Sequence, residues 1–320
     1  MKLEAPAKLN LGLRVLGRRA DGFHAIETLL LRLRLADALE LETGGEGIRL
    51  DLTAPDHAAG SEPVPGGHDN LCWRAARLLY DAVGPPPAVA IRLTKRIPAA
   101  AGLGGGSSDA AAVLVGLNRL LGTPLGRPAL VELAGRLGSD VPFFATEATY
   151  ALAWDRGQRM LPLAPPPARP VLVMVPDFGI SAAEAYGWWA EDAATSEPEV
   201  GSPRDASPEA ASGALPGPDR LAEWETIEQL AMNDLGPPVE RRRPELGAAR
   251  EALISTGATI ALLCGSGSCV AGIFRTEAER DAARPVLSSG NAVPPGWEFI
   301  PTWTAGSDTP RSIGTPRRTG

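Results

Sequence analysis

The chemistry-bearing stretch of this chain is the run at 97–121, IPAAAGLGGGSSDAAAVLVGLNRLL. Gly102, Gly104, Gly105 and Gly106 are followed at once by Ser107, Ser108 and Asp109. Glycine permits positive φ and a close backbone approach to a ligand. Ser and Asp are favoured helix N-caps, because their oxygens accept the orphan amides of a first turn. Ala110, Val113, Leu114, Leu117, Leu120 and Leu121 then recur at helical spacing. The stretch therefore predicts a glycine loop feeding a helix N-terminus, a geometry that suits a phosphate. It is not a Walker A loop, which ends in Gly-Lys-Ser/Thr. It is not the dinucleotide fingerprint either, because Ser107 stands where a third glycine belongs. The plainer alternative is a flexible loop with an ordinary cap, but linkers rarely run straight into an apolar helix.

Other residues could contribute chemistry. Lys8 and Asn10 lie two apart in a strand-like segment at 3–16 and so point to one side of it. Taken alone, a strand lysine is most often a solvated face residue. Phe23 and His24 follow a polar turn at 17–22 and begin a second strand. Lys95 closes a strand that leads to the glycine loop, although Arg96 beside it shows that charge alone is not selective. Asp140 sits among apolar residues before Pro142, where an acid commonly serves as an N-cap. Phe178 reads equally as a pocket wall or a core residue. Gly265-Ser266-Gly267-Ser268-Cys269 is a second glycine loop between two short strands.

Pro98-x-x-x-Gly102-Leu-Gly104-Gly105-Gly106-Ser107-Ser108-Asp109 resembles the phosphate loop of the galactokinase, homoserine kinase, mevalonate kinase and phosphomevalonate kinase superfamily. Ala5-Pro6-Ala7-Lys8-Leu9-Asn10-Leu11, with Gly17-Arg18-Arg19-Ala20-Asp21-Gly22-Phe23-His24, is similar to the opening of the 4-diphosphocytidyl-2-C-methyl-D-erythritol kinases within it. The late Gly265–Cys269 stretch resembles the superfamily's third motif. The resemblance implies ATP-dependent phosphorylation of the 2-hydroxyl of a cytidine diphospho-methylerythritol substrate, with ATP and Mg²⁺ as cofactors. It implies that Asp140 is the catalytic carboxylate. Lys8 then faces the reacting hydroxyl, and either eases loss of its proton or pairs with Asp140. It further implies that Pro98, Ala99, Ala100, Ala101, Gly102, Leu103, Gly104, Gly105, Gly106, Ser107 and Ser108 surround ATP, with Asn70 near the adenine; Lys95, by its charge and place beside the loop, is expected to help hold the nucleotide. Asn10, Phe23 and His24 would then select the cytidine substrate, while Phe178 stays open between a second aromatic wall and the core. The family more often carries Tyr where Phe23 stands; the ring survives the change, and a hydroxyl contact is lost. Which residues meet Mg²⁺ is left open.

The elements that must position these residues follow from pattern. Strands are expected at 3–16, 23–33, 37–43 and 47–53, the last two as a hairpin around Gly-Gly-Glu-Gly. A helix is expected at 71–83 with Asp69 as its cap, then a strand at 89–97, the loop helix, a helix at 128–137 and a strand at 150–154. A proline-rich linker at 162–170 precedes an apolar strand at 171–175, then a helix capped by Ser181. Helices at 223–235, 244–256 and 276–287, and strands at 258–263, 270–274 and 297–303, complete the chain. The order is α+β in two domains. An ATP-binding domain spans 1–161. The family implies that 162–304 is ferredoxin-like, with the active site in the cleft between the two. The Pro-, Ala-, Ser- and acid-rich stretch at 191–220 and the tail at 305–320 are expected to be disordered.

Composition bounds the remaining readings. The 320 residues are 44% hydrophobic, enough for a substantial core. The formal charge of −7 argues against nucleic acid as a partner. Three cysteines and three well-separated histidines do not make a zinc pattern. Neither a leader nor a membrane-spanning run is apparent, so a cytoplasmic monomer or homodimer with small-molecule partners is expected. Two rivals remain. One is another small-molecule kinase of the superfamily, of homoserine or mevalonate type. The other is a non-catalytic nucleotide-binding regulator on the same scaffold.

Overall fold

A computed structural model describes residues 1–54, 64–84, 86–195, 216–289 and 293–307. The elements are β1 (Lys2–Arg18), β2 (His24–Thr43), β3 (Gly47–Thr53), α1 (Leu71–Val83), β4 (Ala88–Thr94), α2 (Gly105–Leu120), α3 (Arg127–Leu137), α4 (Val141–Ala145), β5 (Tyr150–Asp155), β6 (Arg159–Leu163), β7 (Pro170–Val175), α5 (Ala182–Thr195), α6 (Trp224–Leu230), β8 (Met232–Asn233), α7 (Gly236–Arg242), α8 (Pro244–Ser255), β9 (Ile260–Leu263), β10 (Val270–Ile273), α9 (Glu277–Ser289) and β11 (Glu298–Trp303).

They form two sheets. The first is seven-stranded, ordered β3-β4-β2-β1-β8, with the β5–β6 pair attached to β2. The second is ordered β11-β7-β10-β9, and all its pairs are antiparallel. Numbered along the chain, that order is 4-1-3-2, with helices after its first and third strands, which is the ferredoxin-like arrangement. The two-domain α+β expectation holds, with one exchange: β8 lies in the second sequence half but pairs in parallel with β1 of the first sheet.

Several boundaries differ from the sequence reading. The strands expected at 23–33 and 37–43 are one strand, β2, because pairing with β1 runs nearly its whole length. The segments at 37–43 and 47–53 do not form a hairpin; β4 inserts between them, antiparallel to β2 and parallel to β3. Helix α5 runs to Thr195, past the start of the expected insertion, because Asp192 is tied to Arg241 and Arg242 of α7. The insertion's core at 196–215 lies outside the described residues, as does 308–320. Ala305 belongs to the fold: it is buried and its amide donates to the Arg32 carbonyl. The short α4, α7 and β6 have no counterpart in the sequence reading.

The cores explain how β1 delivers its polar residues. Leu3 and Ala5 pack with α1, α2 and α4 on one face of the first sheet. Beyond a register shift between Pro6 and Lys8, Ala7, Leu9 and Leu11 pack on the other face, against β7 and β10. The register passes from Pro6↔Ala36 to Lys8↔Arg32, so two extra residues of β2 face β1 there, and the period-two alternation of β1 breaks between Ala5 and Ala7. Lys8 and Asn10 are thereby turned toward the helices and the glycine loop. Among the described residues, no helix is long and apolar enough to cross a membrane.

Candidate active site

The glycine loop begins a helix earlier than its serines suggest. Gly104, at φ +72°, is the residue before α2, and the helix opens at Gly105. No side chain caps it. Ser107, Ser108 and Asp109 therefore lie inside the first turns and are not the caps expected. The first intrahelical bond runs from the Ser108 amide to the Gly104 carbonyl at 2.9 Å. The amides of Gly105, Gly106 and Ser107 precede it, and at a helix start such donors point outward toward an anion.

A cleft of about 340 Å³ opens at this helix start. Pro98, Ala99, Ala100, Ala101, Gly102, Leu103, Gly104, Gly105, Gly106 and Ser107 line it, with Asn70, Lys95 and Asp109. Ser108 does not: its amide is used within the helix and its hydroxyl is fully buried. The helix started two residues too early to leave it facing the cleft.

Asn70 lines the cleft but also caps α1, its Oδ1 accepting from the Cys72 amide at 2.8 Å, while its Nδ2 donates to the Pro65 carbonyl. The cap is thus Asn70 rather than Asp69. Lys95 reaches the cleft wall, but its ammonium is shared between Asp37 and Asp109, the latter at 2.7 Å. Asp37 in turn accepts from the amides of Arg96 and Ile97. All three side chains are buried. Burial, with Asp37 nearby, pushes the Asp109 carboxyl up to about 7.

Lys8 stands where four parts of the chain meet. Its backbone amide donates to the Leu103 carbonyl at 2.9 Å. Its Nζ donates to Asn10 Oδ1 at 2.7 Å and to the Gly102 carbonyl at 2.9 Å, and lies 3.4 Å from Asp140 Oδ2. Lys8 is 4% exposed and the Asp140 side chain 35%. Asp140 precedes α4 but makes no capping bond, so its carboxylate is held toward Lys8 and solvent instead. Asn10 is steadied by donating to Thr28 Oγ1 at 2.9 Å. Helix α4 is itself anchored by Arg32, which donates to the carbonyls of Phe143 and Phe144. Thr28 and Arg32 carry no motif and were not singled out from the sequence.

The third glycine loop closes this corner. A Cβ built on Gly265 would lie 3.1 Å from Lys8 Nζ, 3.3 Å from Asn10 Oδ1 and 3.0 Å from the Gly102 carbonyl. β9 and β10 form a tight hairpin, and its loop also reaches the corner that holds Lys8 and Asn10.

The aromatic residues divide. His24 stacks on Tyr186 of α5, with ring centroids 4.8 Å apart at 16°, and meets the edge of Trp189. Its buried Nε2 has no partner among the described residues. Burial, then the Arg18 charge, lowers the His24 pKa, which favours the neutral ring. Burial, then the nearby Asp140 charge, raises the Tyr186 phenol. Phe23 is half-exposed and faces the Arg156 guanidinium at 3.7 Å. The Phe178 ring lies against Arg243 and Trp297 rather than His24, while its carbonyl accepts from Ser268 of the third loop. Tyr186 and Trp189, not Phe178, are the rings from the second half that meet His24. An aromatic about one turn into a helix gives no sequence signal of that kind.

Known proteins resemble this chain in sequence and in fold. Residues 70–147 match the family model described as GHMP kinases N terminal domain, and residues 219–291 match GHMP kinases C terminal. The 4-diphosphocytidyl-2-C-methyl-D-erythritol kinase of Moorella thermoacetica is 38% identical over 288 residues, covering 90% of this chain and 94% of that one. Its counterpart from a Synechococcus strain is 38% identical over 317 residues, with 98% of both chains covered. A crystal structure of 4-(cytidine 5'-diphospho)-2C-methyl-D-erythritol kinase superposes with a TM-score of 0.72 at 33% identity, covering 96% of this chain and 100% of that one. A mevalonate kinase from L. major, at 15% identity and a TM-score of 0.67, shares the fold.

Proposed function

The chain belongs to the 4-diphosphocytidyl-2-C-methyl-D-erythritol kinases of the GHMP kinase family, and from that premise we propose that it transfers the γ-phosphoryl group of ATP to the 2-hydroxyl of this cytidine diphosphate substrate. The observation that carries the assignment of residues is the Lys8 ammonium, within 3.4 Å of Asp140 and bonded to both Asn10 and the Gly102 carbonyl. Phosphoryl transfer depends on positioning and charge stabilisation more than on covalent chemistry.

The amides of Gly105, Gly106 and Ser107 hold the phosphates. Asp140 accepts the proton of the acceptor hydroxyl. Lys8 supports the acceptor oxygen as charge develops on it, and keeps Asp140 aimed. His24 offers a neutral imidazole to the cytosine edge, with Phe23 and Tyr186 as ring surfaces beside it. Asn10 steadies Lys8 and the substrate. Lys95 acts from the cleft wall through Asp109.

Mg²⁺ enters with ATP. Among the described residues no three His, Cys, Asp or Glu side chains gather into a metal cage. That fits an ion held mostly by phosphate oxygens and water. Ser107 and Asp109, which line the cleft, and Asp140, 3.4 Å from the Lys8 ammonium, are oxygen donors that would be within its surroundings. When bound, the ion neutralises charge on the transferring phosphoryl group.

The test is ADP release by the purified chain with Mg-ATP, offering the cytidine acceptor beside homoserine and mevalonate. Turnover with the cytidine acceptor alone is expected. Turnover with another acceptor would retain Asp140 and the phosphate loop and remove His24 from its role. ATP binding with no turnover on any acceptor would favour the non-catalytic regulator.

A further inference from the structure

Asn233 lies in β8, paired in parallel with β1 at Leu13, on the strand that carries Lys8 and Asn10. It is 8% exposed. Its side-chain nitrogen donates to the carbonyls of Leu263 at 2.9 Å and Gly265 at 2.7 Å. Its Oδ1 accepts from the Leu235 amide at 3.0 Å. Both donors and one lone pair of the amide are used, so no other side chain of this length satisfies the same set. The next residue ties the same segment to β1: the Asp234 amide donates to the Leu13 carbonyl, and Asp234 Oδ2 accepts from the Val15 amide.

The two carbonyls gripped by Asn233 belong to the start of the third glycine loop. That loop's Gly265 backbone is the wall against Lys8 Nζ and Asn10 Oδ1. The loop comes from the second sheet, whereas Lys8 and Asn10 come from the first. Asn233 is therefore a clasp between the sheet that supplies the catalytic lysine and the loop that covers it.

Resting on the kinase reading above, we infer that Asn233 is a positioning residue for phosphoryl transfer. It sets the third loop against Lys8, and so fixes where the ammonium sits and keeps water from the acceptor oxygen's place. Loosening the loop acts first on the Lys8 corner, where Gly265 meets Lys8 Nζ and Asn10 Oδ1, and bears on the phosphate loop through the Gly102 backbone rather than through the α2 amides. The Lys8 corner widens, so transfer to the acceptor suffers while ATP hydrolysis by water gains. A displacement near 1 Å at such a corner costs about a hundredfold.

The experiment compares Asn233→Ser and Asn233→Asp with the wild-type chain. Serine is too short to span both carbonyls and leaves room for water, so this variant is expected to fold. Aspartate keeps the shape and opposes two carbonyls with a carboxylate. Three readouts are taken: ADP release with Mg-ATP and the cytidine acceptor, ADP release without acceptor, and ATP affinity by calorimetry. Transfer is expected to fall about a hundredfold, with ATP affinity unchanged and a raised ratio of hydrolysis to transfer. If transfer and hydrolysis fall together, in proportion to the loss of folded protein, Asn233 is only structural and the inference is wrong. Wild-type transfer in Asn233→Ser also overturns it, and leaves the kinase reading standing. Failure of the wild-type chain to phosphorylate the cytidine acceptor overturns both.

Discussion

A Cβ placed on Gly102 would lie 1.6 Å from the carbonyl oxygen of Cys264. The phosphate loop of one domain and the third loop of the other are thus in backbone contact, and only a residue without a side chain permits it. Gly102 also has φ +74°, a conformation that favours glycine. Gly102→Ala is expected to force the loops apart and reduce turnover by about a hundredfold. Steady-state ADP release checks this. Turnover at the wild-type level would mean that the loops can separate without cost to the chemistry.

Asp140→Asn keeps the shape of the side chain beside Lys8 and removes the proton acceptor. General-base contributions amount to about a hundredfold or more. A loss of kcat on that scale is expected, with an unaltered KM for ATP. Near-normal kcat would take Asp140 out of the proton-transfer step.

Lys95→Met leaves Asp37 and Asp109 facing each other inside the protein. Breaking a buried ion pair by removing one partner costs about 3–5 kcal/mol. The loss is expected to grow with pH. Asp109 is pushed up to about 7 against an ordinary value of 3.8, so between these the folded state binds more protons than the unfolded chain. Stability therefore declines as pH rises through that window, and removing the ammonium that favours the charged carboxylate steepens the decline. Urea denaturation at pH 5 and pH 8 measures it. A smaller loss at pH 8 than at pH 5 would contradict the arrangement.

His24 is held neutral by burial and by Arg18. Its imidazole should titrate below the ordinary 6.5, measured by NMR on the free protein. The unfolded chain takes up that proton first, so this residue weakens folding as pH falls below 6.5. His24→Ala should chiefly raise the KM for the cytidine acceptor. Undiminished discrimination between cytidine and uridine analogues would show that His24 does not read the base.

Much of the catalytic corner was legible because its signals are local. Two residues of spacing put Lys8 and Asn10 on one side of a strand, and the glycine run announced a helix start. The Ser181 cap was read correctly: Ser181 and Glu184 exchange capping bonds. Where two local candidates competed, sequence could not choose. Asp69 and Asn70 are both good caps, and Asn70 caps α1 because its side chain alone reaches the Cys72 amide while also holding Pro65.

By itself the sequence determined the α+β order and the glycine loop that opens α2, and its motifs pointed to Lys8 and Asp140 through family resemblance, because periodicity, glycine content and motif spacing are properties of neighbouring residues. Only the tertiary structure decided that β4 separates β2 from β3, that the break in the alternation of β1 at Pro6 leaves Lys8 on the side of the loop, and that Asp37, 58 residues away, shares the Lys95 charge. It also decided that Tyr186 rather than Phe178 meets His24, and that Asn233 grips the third loop. Strand partners and buried charge partners are chosen by which surfaces and dipoles can be satisfied together in one packed molecule, and no window along the chain contains that information.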